Sequence, residues 1–124
     1  MSEMRAFMEG YYQAYNSGDP DRLAPYYHQE VLLVSAQGEL RGREAILDTY
    51  RYITERLEDR MTPQHMVVEG DRAAVEILDQ FRALVPVADF LGQDRAAGDR
   101  FQLQLCGVYR REQGVLTEVR LYHR

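Results

Sequence analysis

The sequence predicts an α+β domain in which helices come first and a mostly antiparallel sheet follows. Three observations support this prediction. Apolar residues recur at helical spacing through most of the first 58 residues, interrupted by one short β-favouring run. From residue 65 onward, apolar and polar residues alternate with period two. The strings EGDR and EQG separate the alternating runs and are typical of turns between strands.

The helical half of the chain contains three predicted helices. The first spans residues 2–17, and its apolar stripe consists of Met4, Phe7, Met8, Tyr11 and Tyr15, with Tyr12 at the rim. The second is short, residues 20–27, with Asp19 as its N-cap and Pro20 at its first position. The third spans residues 43–58, where helical spacing relates Ile46, Tyr50, Ile53 and Leu57.

The strands are predicted from β-favouring composition and alternation. VLLVS, residues 31–35, is an isolated strand, and AQGELRG after it is a turn. The later strands begin at residue 65 and form hairpins, with residues 85–100 as a loop between them. In the strand that follows EGDR, one face is predicted to carry Val75, Ile77, Asp79, Phe81 and Ala83.

Length and charge limit the classes of protein to consider. The 124 residues suit one domain, 1–124, and the net charge of −5 disfavours a nucleic-acid or anionic-membrane partner. The single cysteine, Cys106, excludes an intrachain disulfide. The start is not typical of a signal peptide, and no run of about 18 apolar residues occurs. We therefore expect a cytoplasmic protein without a membrane partner.

Two residues are the first candidates for acid/base chemistry. Asp79 interrupts an apolar face, where a carboxylate is costly unless its pKa rises or it finds a partner. The alternative is that a twisted strand lets Asp79 reach solvent or an arginine. His123 has an ordinary pKa suited to proton transfer, or it is a frayed terminal residue. Three histidines without close spacing predict no metal site, and no cofactor-binding motif occurs.

Tyrosines and one cysteine are candidates for the wall of a pocket. Tyr11 and Tyr15 lie on the inner stripe of the first helix, where they fill the core or present hydroxyls to a pocket. Tyr27 belongs to the core by the same reasoning. Cys106 alternates with core residues as a buried thiol or a nucleophile, and Gln102 and Gln104 share its face. The sequence leaves open which sheet face carries these three residues.

The element order and several strings resemble the nuclear transport factor 2-like superfamily, especially its SnoaL-like branch. The strings are YYQAYNSGDPDRLAPYYHQEVLLV, LRGREAILDTY, VVEGDRAAVEI and ADFLGQDRAAGDRFQLQLCGVYRREQGVLTEVRLYHR. The resemblance runs nearly end to end and implies a cone-shaped α+β barrel, in which a curved sheet wraps around three N-terminal helices. It also implies a pocket for a small apolar molecule at the open end and a homodimer formed through the outer sheet face.

The resemblance does not select one reaction. For the isomerase type, the tyrosine position holds Tyr11, but the two acid positions hold Ser35 and Cys106. For the cyclase type, the position of the aspartate holds His123 or Arg124. The epoxide-hydrolase type needs an Asp-Arg-Asp set, whereas Asp79 and Arg82 point to opposite faces. The dehydratase type needs a His-Asp pair, for which the chain offers His65 and, nearest to the aspartate position, Asn16.

These considerations lead to an expected function. The chain is expected to be a cofactor-free acid/base enzyme of isomerase, cyclase or dehydratase type, or alternatively a non-catalytic binding or dimerisation module of the same fold. Its expected catalytic residues are Asp79, His123 and Tyr11. Residues 86–99 are a candidate lid. The expected ligand-binding residues are Tyr15, Tyr27, Ser35, Tyr50, His65, Phe81, Phe90 and Cys106.

Overall fold

The computed structural model describes residues 3–123, in which three helices are combined with eight strands. The helices are α1 (Glu3–Asn16), α2 (Pro20–Leu23) and α3 (Arg43–Arg56), and a 3₁₀ turn (Ala24–Tyr26) follows α2. The strands are β1 (Tyr27–Ser35), β2 (Gly38–Arg41), β3 (Leu57–Glu69), β4 (Arg72–Ala83), β5 (Val87–Phe90), β6 (Gln93–Arg95), β7 (Arg100–Glu112) and β8 (Val115–His123). The predicted helix start at Ser2 and the candidate position Arg124 lie outside the described residues.

Six strands form one curved sheet in the order β2-β1-β8-β7-β4-β3. All neighbours in this sheet are antiparallel except β1 and β8, which are parallel. This arrangement confirms the predicted α+β class with a mostly antiparallel sheet. The sheet is open, because β2 and β3 are its edges, so it curves without closing as a barrel. Between residues 3 and 123, no helix is long and apolar enough to span a membrane.

The helices pack on one face of the sheet. Helix α1 lies against β3 and β4, and α3 lies against β1 and β3. The predicted stripe of α1 accounts for this packing, since Met4, Met8 and Tyr11 are buried. Tyr12 is also buried, whereas the helical spacing placed it at the rim, because its hydroxyl donates a hydrogen bond to Tyr109 on β7 at 3.0 Å.

Several predicted boundaries were wrong around the first two connections. Helix α2 ends at Leu23, and Tyr27 already belongs to β1, which starts four residues before the predicted strand. The string AQGELRG, predicted to be only a turn, contains the short strand β2. Strand β3 begins at Leu57, eight residues before the prediction, because Leu57 leaves the helix with extended backbone angles and pairs with Ala83.

The segment 85–100 is not the irregular loop that its Pro and Gly residues predicted. It contains a hairpin of β5 and β6, which pair only with each other. Leu91 and Gly92 have positive φ angles of 54° and 81°, as the two central residues of a tight hairpin turn require. Asn or Asp normally precedes Gly in such a turn, so Leu91 gave no hairpin signal.

Two apolar clusters lie inside the fold and meet near Asp79. The tyrosine cluster is the larger and includes the buried rings of Tyr11, Tyr12, Tyr27 and Tyr109. The phenylalanine cluster is centred on Leu57, Phe81, Ala83 and Val87, with Ile53, Phe90, Leu91 and Phe101 packed against it. On β4, Asp79 lies between Ile77 of the first cluster and Phe81 of the second.

Candidate active site

Two carboxyl groups, one buried and one half-buried, form the centre of the candidate site. Asp79 on β4 is 3% exposed and is the only polar residue among the buried ones between residues 3 and 123. Asp59 lies on the neighbouring strand β3, where Met61 is paired with Asp79 and Asp59 with Phe81. The two aspartates are therefore diagonal neighbours on the inner sheet face, and their side chains contact each other through a hydrogen bond.

Almost no other group stabilises these carboxyls. The Tyr15 hydroxyl donates a hydrogen bond to Oδ2 of Asp59 at 2.7 Å. Oδ1 of Asp59 and Oδ1 of Asp79 are buried and have no hydrogen-bond partner among the described residues. In the described part of the chain, no arginine or histidine forms an ion pair with either carboxyl. Two carboxyls in contact without a cation can only hydrogen-bond if one of them carries a proton.

Burial and mutual repulsion set the protonation of the pair. Burial raises the pKa of Asp79, and the hydrogen bond and negative charge of Asp59 raise it further. Burial also raises the pKa of Asp59, but hydrogen bonds from Asp79 and Tyr15 oppose that rise. Asp79 is therefore the carboxylic acid and Asp59 the carboxylate. The pair places an acid and a base in direct contact.

Helix α1 fixes the geometry of this pair through two residues at its end. The Tyr50 hydroxyl on α3 donates to the carbonyl oxygen of Tyr15 at 2.5 Å, and the two rings meet edge to face at 5.0 Å. Burial raises the pKa of Tyr15, which keeps its hydroxyl protonated as a donor to Asp59. The Asn16 side-chain amide bonds both the N–H and the carbonyl oxygen of Met61 at 2.8 Å. Asn16 thereby joins α1 to the edge strand β3, which carries Asp59.

A groove of about 670 Å³ runs beside the edge strand β3 and reaches Asp59. Its apolar lining includes Leu57 and Phe81, and its polar lining includes Asn16 and Thr54. A volume of this size is within the range of roughly 300–1,000 Å³ that ligand pockets occupy. Asp59 is thus the member of the pair that this groove reaches.

The other predicted tyrosines lie deeper than the carboxyl pair. The Tyr11 and Tyr27 hydroxyls hydrogen-bond each other at 2.7 Å inside the tyrosine cluster. Burial raises the pKa of Tyr11 to about 12, so it stays a neutral phenol. The hydrogen bond to Tyr27 uses the Tyr11 hydroxyl, which forms none with either aspartate. These contacts are those of core tyrosines.

Four predicted site residues lie away from the carboxyl pair. Ser35 is the last residue of β1, and its hydroxyl donates to Oε1 of Gln37 in the β1–β2 turn at 3.2 Å. His65 is exposed beside an irregularity of β3. Cys106 and His123 line a separate groove of about 380 Å³, together with Gln64, Glu76, Ile77, Gln104, Leu105 and Tyr122.

The burial pattern of β7 shows which face of the sheet carries Gln102 and Gln104. Leu105 is buried in the tyrosine cluster, and alternation turns its neighbours Gln104 and Cys106 to the opposite, outer face. Gln102 has the same parity as Gln104 and is exposed. Cys106 is half-buried on this outer face and not in the core. His123 is paired with Leu105 at the end of β8 and is exposed, and β7 separates it from Asp79 on β4, so the structure does not bring the two together.

Phe81 and Phe90 lie next to the carboxyl pair in the phenylalanine cluster. The Phe81 ring stacks on that of Phe101 with a centroid distance of 4.9 Å, and Phe90 meets Phe81 edge to face at 5.5 Å. Phe81 pairs directly with Asp59 across β3 and β4. The predicted residues that the structure gathers around one site are therefore Asp79, Tyr15, Tyr50, Phe81 and Phe90.

The sequence reasoning missed Asp59. A signal was present, because Leu57, Asp59 and Met61 alternate with exposed residues in the same way as Val75, Ile77 and Asp79 do. It was hidden because Leu57 also fits the helical spacing of α3. Asn16 entered the sequence reasoning only as the residue nearest to a missing aspartate, and its role as a link to β3 depends on the tertiary fold.

The site can now be compared with known proteins. The sequence matches the SnoaL-like domain family over residues 8–119. No curated protein matches it. Among solved structures, TsrD from Streptomyces laurentii is 25% identical, with a TM-score of 0.80 over 99% of this chain and 90% of that one.

Two further structures share the fold at lower sequence identity. A putative polyketide cyclase from Xanthomonas campestris pv. campestris is 18% identical, with a TM-score of 0.85 over 98% of this chain and 90% of that one. An LEH-like epoxide hydrolase from M. tuberculosis is 17% identical, with a TM-score of 0.80 over 98% and 83%. With the family match covering most of the sequence, the chain belongs to the SnoaL-like domain family.

Proposed function

We propose that the chain is a cofactor-free acid/base catalyst whose catalytic groups are the carboxyls of Asp59 and Asp79. One observation carries this proposal: the carboxyls of Asp59 and Asp79 are in contact, and among residues 3–123 the Tyr15 hydroxyl is the only other side chain that donates a hydrogen bond to them and no cation forms an ion pair with them. Such a pair is costly for stability, since buried carboxyls normally lie beside compensating charge or several donors. Pairs of titratable groups with separated pKa values are typical of catalytic sites.

The chemistry that the pair supports is proton transfer between two atoms of one substrate. Asp59, the member of the pair that the groove reaches, accepts a proton from one substrate atom and gives it to a second one. While Asp59 holds this proton both carboxyls are neutral, and Asp79 keeps Asp59 in place through their hydrogen bond. An isomerisation or cyclisation leaves the pair unchanged in this way. In a dehydration, the proton leaves Asp59 with the hydroxyl group of the substrate as water.

The groove supports a small substrate that has both an apolar part and polar groups. Leu57 and Phe81 supply apolar walls next to Asp59, while Asn16, Thr54 and several charged side chains, among them Arg60 and Arg82, line the rest of the groove. In this proposal, Asp59 takes the part that the sequence suggested for His123. Tyr15 is a positioning residue, because it holds Asp59 through its hydroxyl.

Proton exchange from solvent tests the proposal without knowledge of the natural substrate. A panel of small enolisable ketones is incubated with the protein in D₂O, and deuterium incorporation is followed by NMR. The wild type is expected to exceed buffer with at least one ketone, and D59N and D79N are each expected to lose about 100-fold or more of that rate. The matched control is E76Q, because Glu76 is an exposed carboxylate on the outer face of β4 and does not line the groove beside β3. Equal rates in D59N, D79N and E76Q would overturn the proposal.

A non-catalytic binding protein of the same fold is the second candidate. The observation in its favour is that tyrosine rings occupy much of the space between helices and sheet, including those of Tyr11, Tyr12, Tyr27 and Tyr109. This candidate predicts ketones that bind, as measured by calorimetry, without faster deuterium exchange than in buffer.

We also propose a homodimer through the outer sheet face. Val108 and Tyr122 are 36% and 54% exposed there, which leaves apolar surface that a second copy would cover. Size-exclusion chromatography with light scattering at micromolar concentration is expected to give twice the 14.5 kDa chain mass. V108E is expected to give the monomer mass, and a monomeric wild type would refute the proposal.

A further inference from the structure

The hairpin of β5 and β6 covers a stack of aromatic rings. Phe81 and Phe101 are directly opposite on β4 and β7, and their ring planes differ by 9°. The guanidinium of Arg95 on β6 lies over the Phe101 ring at 3.8 Å, and the ring of Phe90 on β5 meets both phenylalanines. The flat guanidinium at this distance shows that one planar group already fits against the stack.

The hairpin can separate from this stack without breaking the large sheet. Strands β5 and β6 form a sheet of their own. Backbone hydrogen bonds connect the segment to the fold at its base, from Gly98 to Ala83, from Ala83 to Asp99 and from Leu84 to Arg56. At the tip, Leu91 has a φ of 54°, which is unfavourable for a bulky side chain. The tip is therefore held down mainly by its apolar and aromatic contacts.

The ring stack adjoins the candidate catalytic pair. Phe81 pairs with Asp59 across the β3–β4 ladder and lies two residues from Asp79 on the same face of β4. Two residues of a strand span roughly 7 Å, about the width of one six-membered ring with its substituent. A molecule that takes the place of the Phe90 ring, which contacts Phe81 directly, lies within about one ring width of the carboxyls.

We infer that the Phe81–Phe101 stack is the binding platform for a planar, unsaturated ring of the ligand, and that the Arg95 guanidinium and Phe90 ring occupy its place when no ligand is bound. The inference rests on the proposed function for the reacting atoms and adds the class of substrate. Aromatic side chains favour planar partners, because flat rings approach the stack more closely than saturated rings with axial hydrogens. Lifting of the hairpin accompanies binding.

A pair of probes that differ only in planarity tests this inference. The probes are 2-acetylnaphthalene and its saturated counterpart, 2-acetyldecahydronaphthalene, and their binding to the full chain is measured by calorimetry. The wild type is expected to bind the planar probe about two- to tenfold more tightly. F101L, which keeps an apolar side chain and removes the ring, is expected to bring this ratio close to one. F7L is the matched control, since Phe7 is also a partly buried ring beneath an arginine, Arg111, but belongs to the tyrosine cluster.

Hydrogen–deuterium exchange measures, in the same samples, whether the hairpin of β5 and β6 lifts from the ring stack when the probe binds. Amides of residues 87–95 are expected to exchange faster when the planar probe is bound, while those of β4 and β7 do not. No planar preference, or the same preference in F101L and the wild type, would overturn the platform. A planar preference with unchanged exchange of residues 87–95 would overturn the displacement of the hairpin.

The variants of the catalytic pair separate this inference from the proposed function. D59N and D79N retain both phenylalanines, so their preference for the planar probe is expected to stay within about twofold of that of the wild type. If the preference is present but the wild type does not speed deuterium exchange into any ketone, the proposed function fails and the platform stands. If exchange is accelerated without planar preference, the platform fails alone.

Discussion

Replacing Asp79 with asparagine should stabilise the protein at neutral pH. The wild type holds one proton on the carboxyl pair, with which no cation of residues 3–123 forms an ion pair. Asparagine has nearly the same shape, carries no charge and offers an amide N–H₂ to the carboxylate of Asp59. With that donor and the Tyr15 hydroxyl, Asp59 is expected to be ionised in D79N at pH 5 and above. The variant should therefore bind one proton fewer than the wild type.

The size of the effect follows from proton linkage. Folding raises the pKa of the carboxyl pair. The contribution of the pair to the unfolding free energy is therefore most favourable below the unfolded pKa of about 3.9, and it is lost as the pH rises toward the folded pKa. Each retained proton costs about 1.4 kcal/mol of unfolding free energy per pH unit over that window. Between pH 5 and pH 7, the wild type should therefore lose about 2.8 kcal/mol relative to D79N.

Reversible urea unfolding at pH 5, 6 and 7 measures this difference. The control is E76Q, because Glu76 lies on the same strand with its side chain exposed on the outer face. Its stability relative to the wild type should change by less than about 0.5 kcal/mol over the same range, as surface substitutions usually do. If D79N parallels the wild type at all three pH values, the pair does not hold a proton and the reasoning is refuted.

Three further substitutions test the surroundings of the pair. Y15F removes the hydroxyl donor to Asp59 and should cost about 1.5–3 kcal/mol of unfolding free energy at pH 7, measured in urea; an unchanged value would contradict the role of this bond. N16A removes two hydrogen bonds to the edge strand and should speed amide exchange in β3 while α1 stays protected; equal exchange would count against this link. G107A places a Cβ 2.6 Å from the Tyr109 ring and should cost about 1–3 kcal/mol, so a fully stable variant would show that the ring is free to move.

The fold was predictable because its two periodicities are strong. The stripe of α1 and the alternation of β4 identify the buried faces, and the parity of Val75, Ile77 and Phe81 places Asp79 inside. These patterns arise from burial on one face, which local sequence records directly. The order of the strands, including the parallel pair of β1 and β8, was not predicted, because alternation identifies the buried face of a strand and not its neighbours.

The partner of Asp79 was not predictable with the same rules. Leu57 satisfies both the helical spacing of α3 and the alternation of β3, and only pairing with β4 decides between them. Pro63 also obscured the strand, since proline is rare in strands, but β3 is an edge strand and tolerates it. The hairpin over Phe81 was missed for a related reason, because tertiary packing holds Leu91 at a positive φ.

Direct observation of the carboxyl protons tests the central claim. Uniform ¹³C labelling of aspartate allows the Cγ resonances of Asp59 and Asp79 to be followed from pH 4 to pH 9, with D59N and D79N providing the assignments. The account predicts that the Asp79 resonance keeps the chemical shift of a protonated carboxyl at pH 7, and that this signal disappears in D79N. Two resonances that both titrate below about pH 5, as ordinary aspartates do, would contradict it.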